Sequence, residues 1–123
     1  MSKVEGFQRS VESLRAAVPE LRGVLIASTE GLPIAHSLSN GADAARVAAM
    51  AAAAASLGRR VSDSLNVGGF EEITVSGGDG QIFLYQAGAK GVLAVMGPAG
   101  ANTGLIHLEA RGVAREVGDM LGA

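Results

Sequence analysis

The chain has 123 residues, of which 48% are hydrophobic and 3% aromatic, and it carries a formal net charge of −2 without any cysteine. This length and apolar content are enough for one domain with its own core, spanning residues 1–123. The composition excludes disulfides and cysteine-ligated zinc, and it lacks the basic field and aromatic platforms of nucleic-acid-binding proteins.

Neither the amino terminus nor the most apolar tract predicts a membrane segment. Residues 1–6 contain no apolar run of the kind that forms a signal peptide. Arg46 and Arg59 enclose only twelve uncharged residues. A membrane-spanning helix needs roughly 20. We therefore expect a cytoplasmic protein without membrane insertion.

The first predicted element is an amphipathic helix near the amino terminus. Its apolar positions recur at spacings of three and four: Val4, Phe7, Val11, Leu14 and Val18. Ser2 and Glu5 have the Ser-x-x-Glu form of a capping box, and Pro19 ends the helix.

Two strands are predicted next. Residues 21–28 contain the unbroken apolar run VLIA at 24–27, which is typical of a central strand covered on both faces. Residues 32–37 contain Pro33, which cannot donate a ladder hydrogen bond, so the second strand belongs at an edge of the sheet.

Residues 42–66, which follow the segment 39–41, predict one long helix rich in alanine. Its larger apolar side chains form a stripe that we expect to face the sheet: Val47, Met50, Ala54, Leu57, Val61 and Leu65. The opposite face consists of small side chains: Ala48, Ala51, Ala52 and Ala55. This smooth face predicts a helix pairing surface, although alanine in an exposed helix can also serve stability alone.

Three more strands and a last helix follow. Residues 71–76 alternate, so that Ile73 and Val75 share one face of the strand, with Glu72, Thr74 and Ser76 on the other. A turn at residues 77–80 leads to a strand at 81–86, and the last strand, 92–96, is apolar throughout. Residues 97–104 break the sheet, and Asn102 or Thr103 can cap the final helix.

The predicted element order is αββαβββα. Because the first and fifth strands are apolar throughout, they should be neighbours at the centre, which gives the strand order 2-1-5-4-3. The sequence therefore predicts a single α/β (α+β) domain, in which a five-stranded antiparallel sheet carries helices on both faces.

The third strand is predicted to leave an unprotected edge, because it has no proline, lysine or evident bulge. Two copies paired antiparallel about a two-fold axis near Thr74 would set Glu72 opposite Ser76 of the partner subunit, so like charges avoid each other. The same axis would bring the two smooth alanine faces together. We expect a homodimer with the interface Ala48, Ala51, Ala52, Ala55, Glu72, Thr74 and Ser76, and the alternative is a monomer with a solvated edge.

Three stretches, VLIAS at 24–28, EGLPIA at 30–35 and GPAGANTG at 97–104, together with the element order, carry a resemblance that covers essentially the whole chain. The sequence resembles the roadblock (dynein light-chain) family, especially its bacterial MglB-like branch. The resemblance implies a homodimer formed through the middle helix and the third strand, and a regulator or scaffold of a small Ras-like GTPase.

In that family role, the paired middle helices would be the docking platform for the GTPase. The residues that would face this partner are Ser56, Arg59, Arg60 and Asp63. A companion roadblock protein is a further possible partner. Because the sequence has no long tail beyond Ala123, a partner that depends on such an extension is not expected.

The sequence predicts no catalysis, cofactor or metal site. The glycine-rich junction from Gly97 to Gly104 could present N–H groups to a phosphate, but it lacks both the P-loop and the Rossmann pattern. His36 and His107 have no second ligand at helical or strand spacing, so both are expected to be polar surface or edge residues.

Two alternatives to GTPase regulation stay open. The protein could be a homodimeric structural adaptor without a GTPase client, or a small-ligand or nucleotide-binding module at residues 97–104. Arg59 and Arg60 could act as an arginine finger on a bound GTPase, or they could be solvated charges at the end of the helix.

Overall fold

The computed structural model describes residues 2–39 and 41–122 of the chain. Met1, Asn40 and Ala123, which belong to the predicted amino terminus, helix start and chain end, lie outside the described residues. The elements follow the predicted order: α1 Lys3–Ala17, β1 Gly23–Ser28, β2 Pro33–Leu38, α2 Ala44–Ser64, β3 Glu72–Gly77, β4 Gly80–Ala87, β5 Gly91–Pro98 and α3 Thr103–Gly122.

The five strands form one sheet in the order β2-β1-β5-β4-β3, and every neighbouring pair is antiparallel. This is the topology predicted from the apolar runs. The central strands β1 and β5 are buried along most of their length, as continuous apolar strands covered on both faces should be. Their pairing places Leu25 opposite Ala94 and Val24 opposite Val95.

Helix α1 begins where the capping box predicts. The hydroxyl of Ser2 accepts a hydrogen bond from the N–H of Glu5 at 3.2 Å, and the helix ends at Ala17, two residues before Pro19. The side chains of Phe7, Val11 and Leu14 are buried, whereas Val4 at the start of the predicted stripe is exposed. The first turn of α1 therefore lies beyond the core.

The helices lie on both faces of the sheet, as predicted. Helices α1 and α3 share one face and bury a core that includes Ile26, Phe83 and Tyr85, while α2 covers the other face. Helix α3 contributes four buried residues to the first core: Ile106, Ala110, Ala114 and Val117. This two-faced burial explains why β1 and β5 have no polar side.

The two edges of the sheet are built differently. On β2, the side-chain amide of Gln8 donates to the backbone carbonyl of His36 at 3.0 Å, and Pro33 begins the strand. Arg15 of α1 donates to the carbonyl oxygens of Ser37 and Leu21 at 3.2 and 3.0 Å. Helix α1 thus covers the β2 side of the sheet, which leaves β3 as the exposed border.

Candidate interaction surface

Helix α2 is anchored at its start by Asp43. The carboxylate oxygen Oδ1 of Asp43 accepts hydrogen bonds from the N–H groups of Ala45 and Arg46 at 3.1 and 3.4 Å. The helix therefore runs over Ala44–Ser64, two residues shorter at each end than predicted, because Asp43 is extended and Asn66 has a positive φ of 56°.

The face that α2 turns toward the sheet is the alanine face, so the predicted orientation of this helix is wrong. The side chains of Ala48, Ala51, Ala52 and Ala55 are between 0 and 6% exposed. Three of them pack in one cluster with Leu25, Ala27, Leu84, Val92 and Ala94 of the sheet. These alanines are core residues, and they are not available as the predicted dimer seam.

The short distance between α2 and the sheet explains why the alanine face is the buried one. Ala27 and Ala94 offer a shallow sheet surface beneath α2, and alanine side chains let the helix axis come close to it. Gly58 continues the same buried face, where a β-carbon would stand 2.8 Å from Cδ1 of Phe70. Longer side chains on this face would hold the helix away from the sheet. The larger apolar side chains of α2 therefore lie on its outer face.

The larger side chains of α2 are consequently exposed. Met50 is 62% exposed, Leu57 is 51% and Val61 is 47%, and the half-buried Val47 and Ala54 lie beside them. Val75 on β3 and Ile82 on β4 are exposed on the same side of the sheet, by 51 and 41%. We name this set the α2–β3 apolar surface: Val47, Met50, Ala54, Leu57, Val61, Val75 and Ile82.

A groove of about 200 Å³ lies in this surface, between α2 and the sheet. Its walls are almost entirely apolar and include Met50, Val75, Ile82 and Met96. A large contiguous apolar patch on a protein usually marks a site where another surface binds. This surface is the feature of the described residues that most directly indicates protein–protein contact.

The polar residues predicted to face a partner fall into two groups. Arg60 and Asp63 are exposed on α2, as a contact surface requires. Ser56 and Arg59 are half-buried, and Nη1 of Arg59 donates to Oε1 of Gln86 on β4 at 2.8 Å. Arg59 is therefore held against the sheet, and only Arg60 of this pair extends into solvent.

Strand β3 shows the predicted alternation. Its register with β4 pairs Ile73 with Leu84 on the α2 face, and Glu72 with Tyr85 on the α3 face. Thr74 and Ser76 are exposed, and Ser76 accepts a hydrogen bond from Gln81 of β4 at 3.0 Å. Glu72 differs from both because α3 binds its side chain.

A polar network on the α3 face joins β3, β4 and α3. Nε and Nη2 of Arg111 donate to Oε2 and Oε1 of Glu72 at 2.9 and 2.6 Å. The hydroxyl of Tyr85 lies 2.9 Å from Nδ1 of His107, and that nitrogen lies 3.7 Å from Oε1 of Glu72. His107 also meets the rings of Phe83 and Tyr85 edge to face, with centroids 5.5 and 5.8 Å apart.

This network shifts two acid–base equilibria. The hydrogen bonds from Arg111 hold the pKa of Glu72 below its ordinary value of 4.5, against a smaller opposing effect of burial. Burial, together with the charge of Glu72, raises the pKa of the Tyr85 hydroxyl. Glu72 is therefore ionised and Tyr85 is neutral at physiological pH.

The structure agrees with the expected surface position of one histidine and differs for the other. His36 is exposed on the edge strand β2, as expected, but His107 is half-buried in the network. One signal for the network was present in the sequence, because His107 and Arg111 are four residues apart and so share a helix face. Within residues 2–39 and 41–122, no group of three or more His, Asp or Glu side chains is arranged to hold a metal ion.

The start of α3 is already occupied by side chains of this protein. Oδ1 of Asn102 accepts a hydrogen bond from the N–H of Leu105 at 3.1 Å, which is the predicted cap. Oε2 of Glu20 accepts one from the N–H of Asn102 at 3.4 Å. A carboxylate at this position competes with a phosphate for the same N–H group and repels it.

Comparisons with known proteins agree with this architecture. The chain matches the family model of the Roadblock/LC7 domain over residues 8–96. An uncharacterised protein of Methanocaldococcus jannaschii is 32% identical over 97 residues, which covers 79% of this chain and 81% of the relative.

None of the helices within the described ranges is long and apolar enough to cross a bilayer.

Solved structures share the fold. MglB from Myxococcus xanthus has a TM-score of 0.88 at 14% identity, covering 99% of this chain and 92% of that one. A Roadblock/LC7 domain from Streptomyces avermitilis has a TM-score of 0.86 at 22% identity, covering 94% of this chain and 98% of that one. The family match over residues 8–96 and the shared fold together establish that this chain belongs to the Roadblock/LC7 family.

Proposed function

We propose that this protein is a non-catalytic homodimer that regulates or scaffolds a small Ras-like GTPase. The observation that carries the proposal is the α2–β3 apolar surface, which lies beside an open sheet edge in a chain of the Roadblock/LC7 family. In this proposal a second copy covers the surface, and the paired helices then form a platform for the GTPase.

The edge strand supports pairing with a second copy. The N–H of Gln86 donates to the carbonyl of Glu71 at 2.8 Å, which fixes the hydrogen-bonding direction of the ladder. Since this direction alternates along an antiparallel strand, the backbone groups of Glu72, Thr74 and Ser76 point away from β4. They are available to a partner strand, and pairing about a two-fold axis near Thr74 uses all three.

The apolar surface supports the same two-fold axis. Joining two five-stranded sheets through β3 gives one sheet of ten strands, on which the α2 helices lie side by side. The outward side chains Met50, Leu57 and Val61 then meet their counterparts and cover Val75 and Ile82. The helix contact thus consists of the larger apolar residues, in place of the alanines predicted from the sequence.

The GTPase client is proposed from the family relationship, because the residues alone do not identify it. The exposed polar residues Arg60 and Asp63 border the paired helices and offer charged contacts to a partner. Ser56 lies on the same helix and is half-buried. Arg59 is engaged with Gln86, so of the two arginines predicted as a finger, Arg60 is the one free to act on a bound GTPase.

A second function, a structural adaptor without a GTPase client, uses the same dimer and differs only in its partner. The third possibility, a nucleotide site at residues 97–104, is disfavoured by the carboxylate of Glu20 at the start of α3. The absence of a P-loop pattern in that segment argues in the same direction.

The dimer is tested by replacing Leu57 with glutamate. Because Leu57 is exposed in the single chain, Leu57→Glu should fold normally and elute as a monomer in sizing chromatography with light scattering. Leu108→Glu is the matched control, since Leu108 is 71% exposed on α3 and lies outside the surface. An unchanged elution of Leu57→Glu, or a monomeric wild type at micromolar concentration, would contradict the dimer.

The client is tested with small Ras-like GTPases encoded near the gene, each loaded with GDP or with a non-hydrolysable GTP analogue. We expect one GTPase to bind per dimer and Leu57→Glu to abolish binding. Accelerated hydrolysis identifies an activator, and binding without acceleration identifies a scaffold. If the dimer forms but no GTPase binds in either nucleotide state, the adaptor function replaces the proposal.

A further inference from the structure

A cleft of about 700 Å³ lies at the end of the sheet where β3 begins. Its lining comes from the segment before β3, from the end of β4 and from α3, and includes Val67, Gly69, Phe70, Glu71, Glu72, Gln86, Arg111, Ala114 and Arg115. None of its lining residues belongs to the α2–β3 apolar surface. The volume falls within the range of about 300–1,000 Å³ that small-molecule sites usually occupy.

Two guanidinium groups supply the cationic side of the cleft. Arg115 follows Arg111 by four residues, so both lie on one face of α3. Arg115 is exposed and has no ion pair or hydrogen bond with any of the residues that the structure describes. Arg111 uses Nε and Nη2 for Glu72, and its Nη1 has no hydrogen-bond partner in the described part of the chain. These donors can hold a carboxylate in the planar geometry that guanidinium groups favour.

The rest of the lining limits which anion fits. Glu71 and Glu72 also border the cleft, so a multiply charged anion would be repelled. Val67, Phe70 and Ala114 provide apolar walls beside the arginines. A ligand for this cleft therefore combines one negative charge with an apolar or aromatic body.

We propose that this cleft binds a small organic monocarboxylate. Arg115 and Nη1 of Arg111 hold the carboxylate, while Val67 and Phe70 contact the apolar body. Glu72 stays paired with Arg111 and keeps that guanidinium in place. The site shares Glu72 with the edge strand that is proposed to pair in the dimer, but it contains no residue of the α2–β3 apolar surface, and carboxylate binding does not depend on a GTPase client.

The experiment titrates the isotope-labelled protein with 2-naphthoate and follows backbone amide resonances by NMR. We expect saturable shifts centred on Gly69 and Gly88, which line the cleft. Neutral 2-naphthalenemethanol tests the need for the carboxylate, and acetate tests the need for the apolar body. Both should bind at least about tenfold more weakly, which corresponds to 1.4 kcal/mol of binding free energy.

Variants locate the charge contact. Arg115→Gln should weaken 2-naphthoate binding about tenfold, as expected for the loss of one charged hydrogen-bonding group. Arg46→Gln removes an exposed arginine at the other end of the fold and should leave the affinity unchanged. The proposal is overturned if the shifts do not saturate by about 10 mM, which is about ten times a dissociation constant of about 1 mM for weak specific binding. Equal binding of the neutral alcohol, or wild-type affinity in Arg115→Gln, would overturn it equally.

Discussion

Arg111 holds both carboxylate oxygens of Glu72, at 2.9 Å from Nε and 2.6 Å from Nη2, and so joins α3 to the exposed edge strand β3. This contact spans 39 residues of sequence. It turns the carboxylate of Glu72 toward α3, so the backbone of β3 is left to form the open edge. Within the sheet β3 pairs only with β4, and Ile73 packs on the α2 face, so the ion pair adds an attachment on the α3 face.

The first prediction concerns acid stability. Because Arg111 holds the pKa of Glu72 below 4.5, the folded state favours the ionised carboxylate. The resulting stabilisation is fully present above the pKa of Glu72 in the unfolded chain and is lost as the pH falls through the lower, folded-state pKa. Glu72→Gln should therefore be less stable than wild type at neutral pH, and the difference should shrink as the pH falls below 4.5, the ordinary pKa of the carboxyl group.

Urea unfolding at fixed protein concentration across this pH range measures the effect, since dimerisation would make stability depend on concentration. Glu30→Gln is the control, because Glu30 is exposed in a turn and the substitution leaves the Glu72–Arg111 pair intact. A constant difference between Glu72→Gln and wild type at all pH values would show that the pair contributes no proton-linked stability.

The second prediction tests the orientation of α2. Ala55 is fully buried against the sheet, so Ala55→Leu should lower the free energy of unfolding by about 1–3 kcal/mol through overpacking. Ala53 lies on the exposed side of the same helix, and Ala53→Leu should change it by no more than about 0.5 kcal/mol. Thermal or urea unfolding of the two variants gives the comparison. The reverse ranking would mean that the alanine face points to solvent.

The orientation of α2 could not be predicted from the sequence, whereas the topology of the sheet could. The topology was predictable because the apolar runs of β1 and β5 locate the centre of the sheet. Helix α2 is apolar on two sides, so its periodicity fits either orientation. The choice depends on the small side chains of Ala27 and Ala94 beneath the helix, and their position under α2 is known only once the sheet is assembled.

The Tyr85–His107–Glu72–Arg111 network was missed for a related reason. Its members come from β3, β4 and α3, and only the strand register brings Glu72 beside Tyr85. Polar residues at these positions are individually unremarkable in the sequence. The alternation of β3 was predicted, but the side chain that α3 would offer to Glu72 could not be read from it.

The third prediction uses two glycines of α3. A β-carbon on Gly118 would stand 2.6 Å from the backbone nitrogen of Gly88 and 2.9 Å from the carbonyl carbon of Ala87. Because backbone atoms cannot move aside as a flexible side chain can, Gly118→Ala should destabilise the protein by about 1–3 kcal/mol. Gly112 has open space around it, so Gly112→Ala should stabilise by about 0.5–1 kcal/mol through helix propensity.

Unfolding curves of these two variants separate packing from propensity, since both make the same chemical change in one helix. If both variants are stabilised, the close approach of α3 to the turn between β4 and β5 is not a constraint on the fold.

The last prediction concerns Arg15, which ties α1 to the β2 side of the sheet. Its Nη1 donates to the carbonyl oxygen and hydroxyl of Ser37, both at 3.2 Å, and its Nη2 donates to the carbonyl of Leu21 and the hydroxyl of Ser39, both at 3.0 Å. Arg15→Met keeps the length of the side chain but removes these donors. It should lower the free energy of unfolding by about 2 kcal/mol, because acceptors bound to a charged group lose their partner. Arg15→Lys should recover only part of this loss, since an ammonium group cannot reproduce the planar fork.

Arg9→Met is the control on the exposed side of α1, and urea unfolding at fixed protein concentration compares all three variants. Equal stability of Arg15→Met and Arg9→Met would show that these hydrogen bonds do not hold α1 to the sheet.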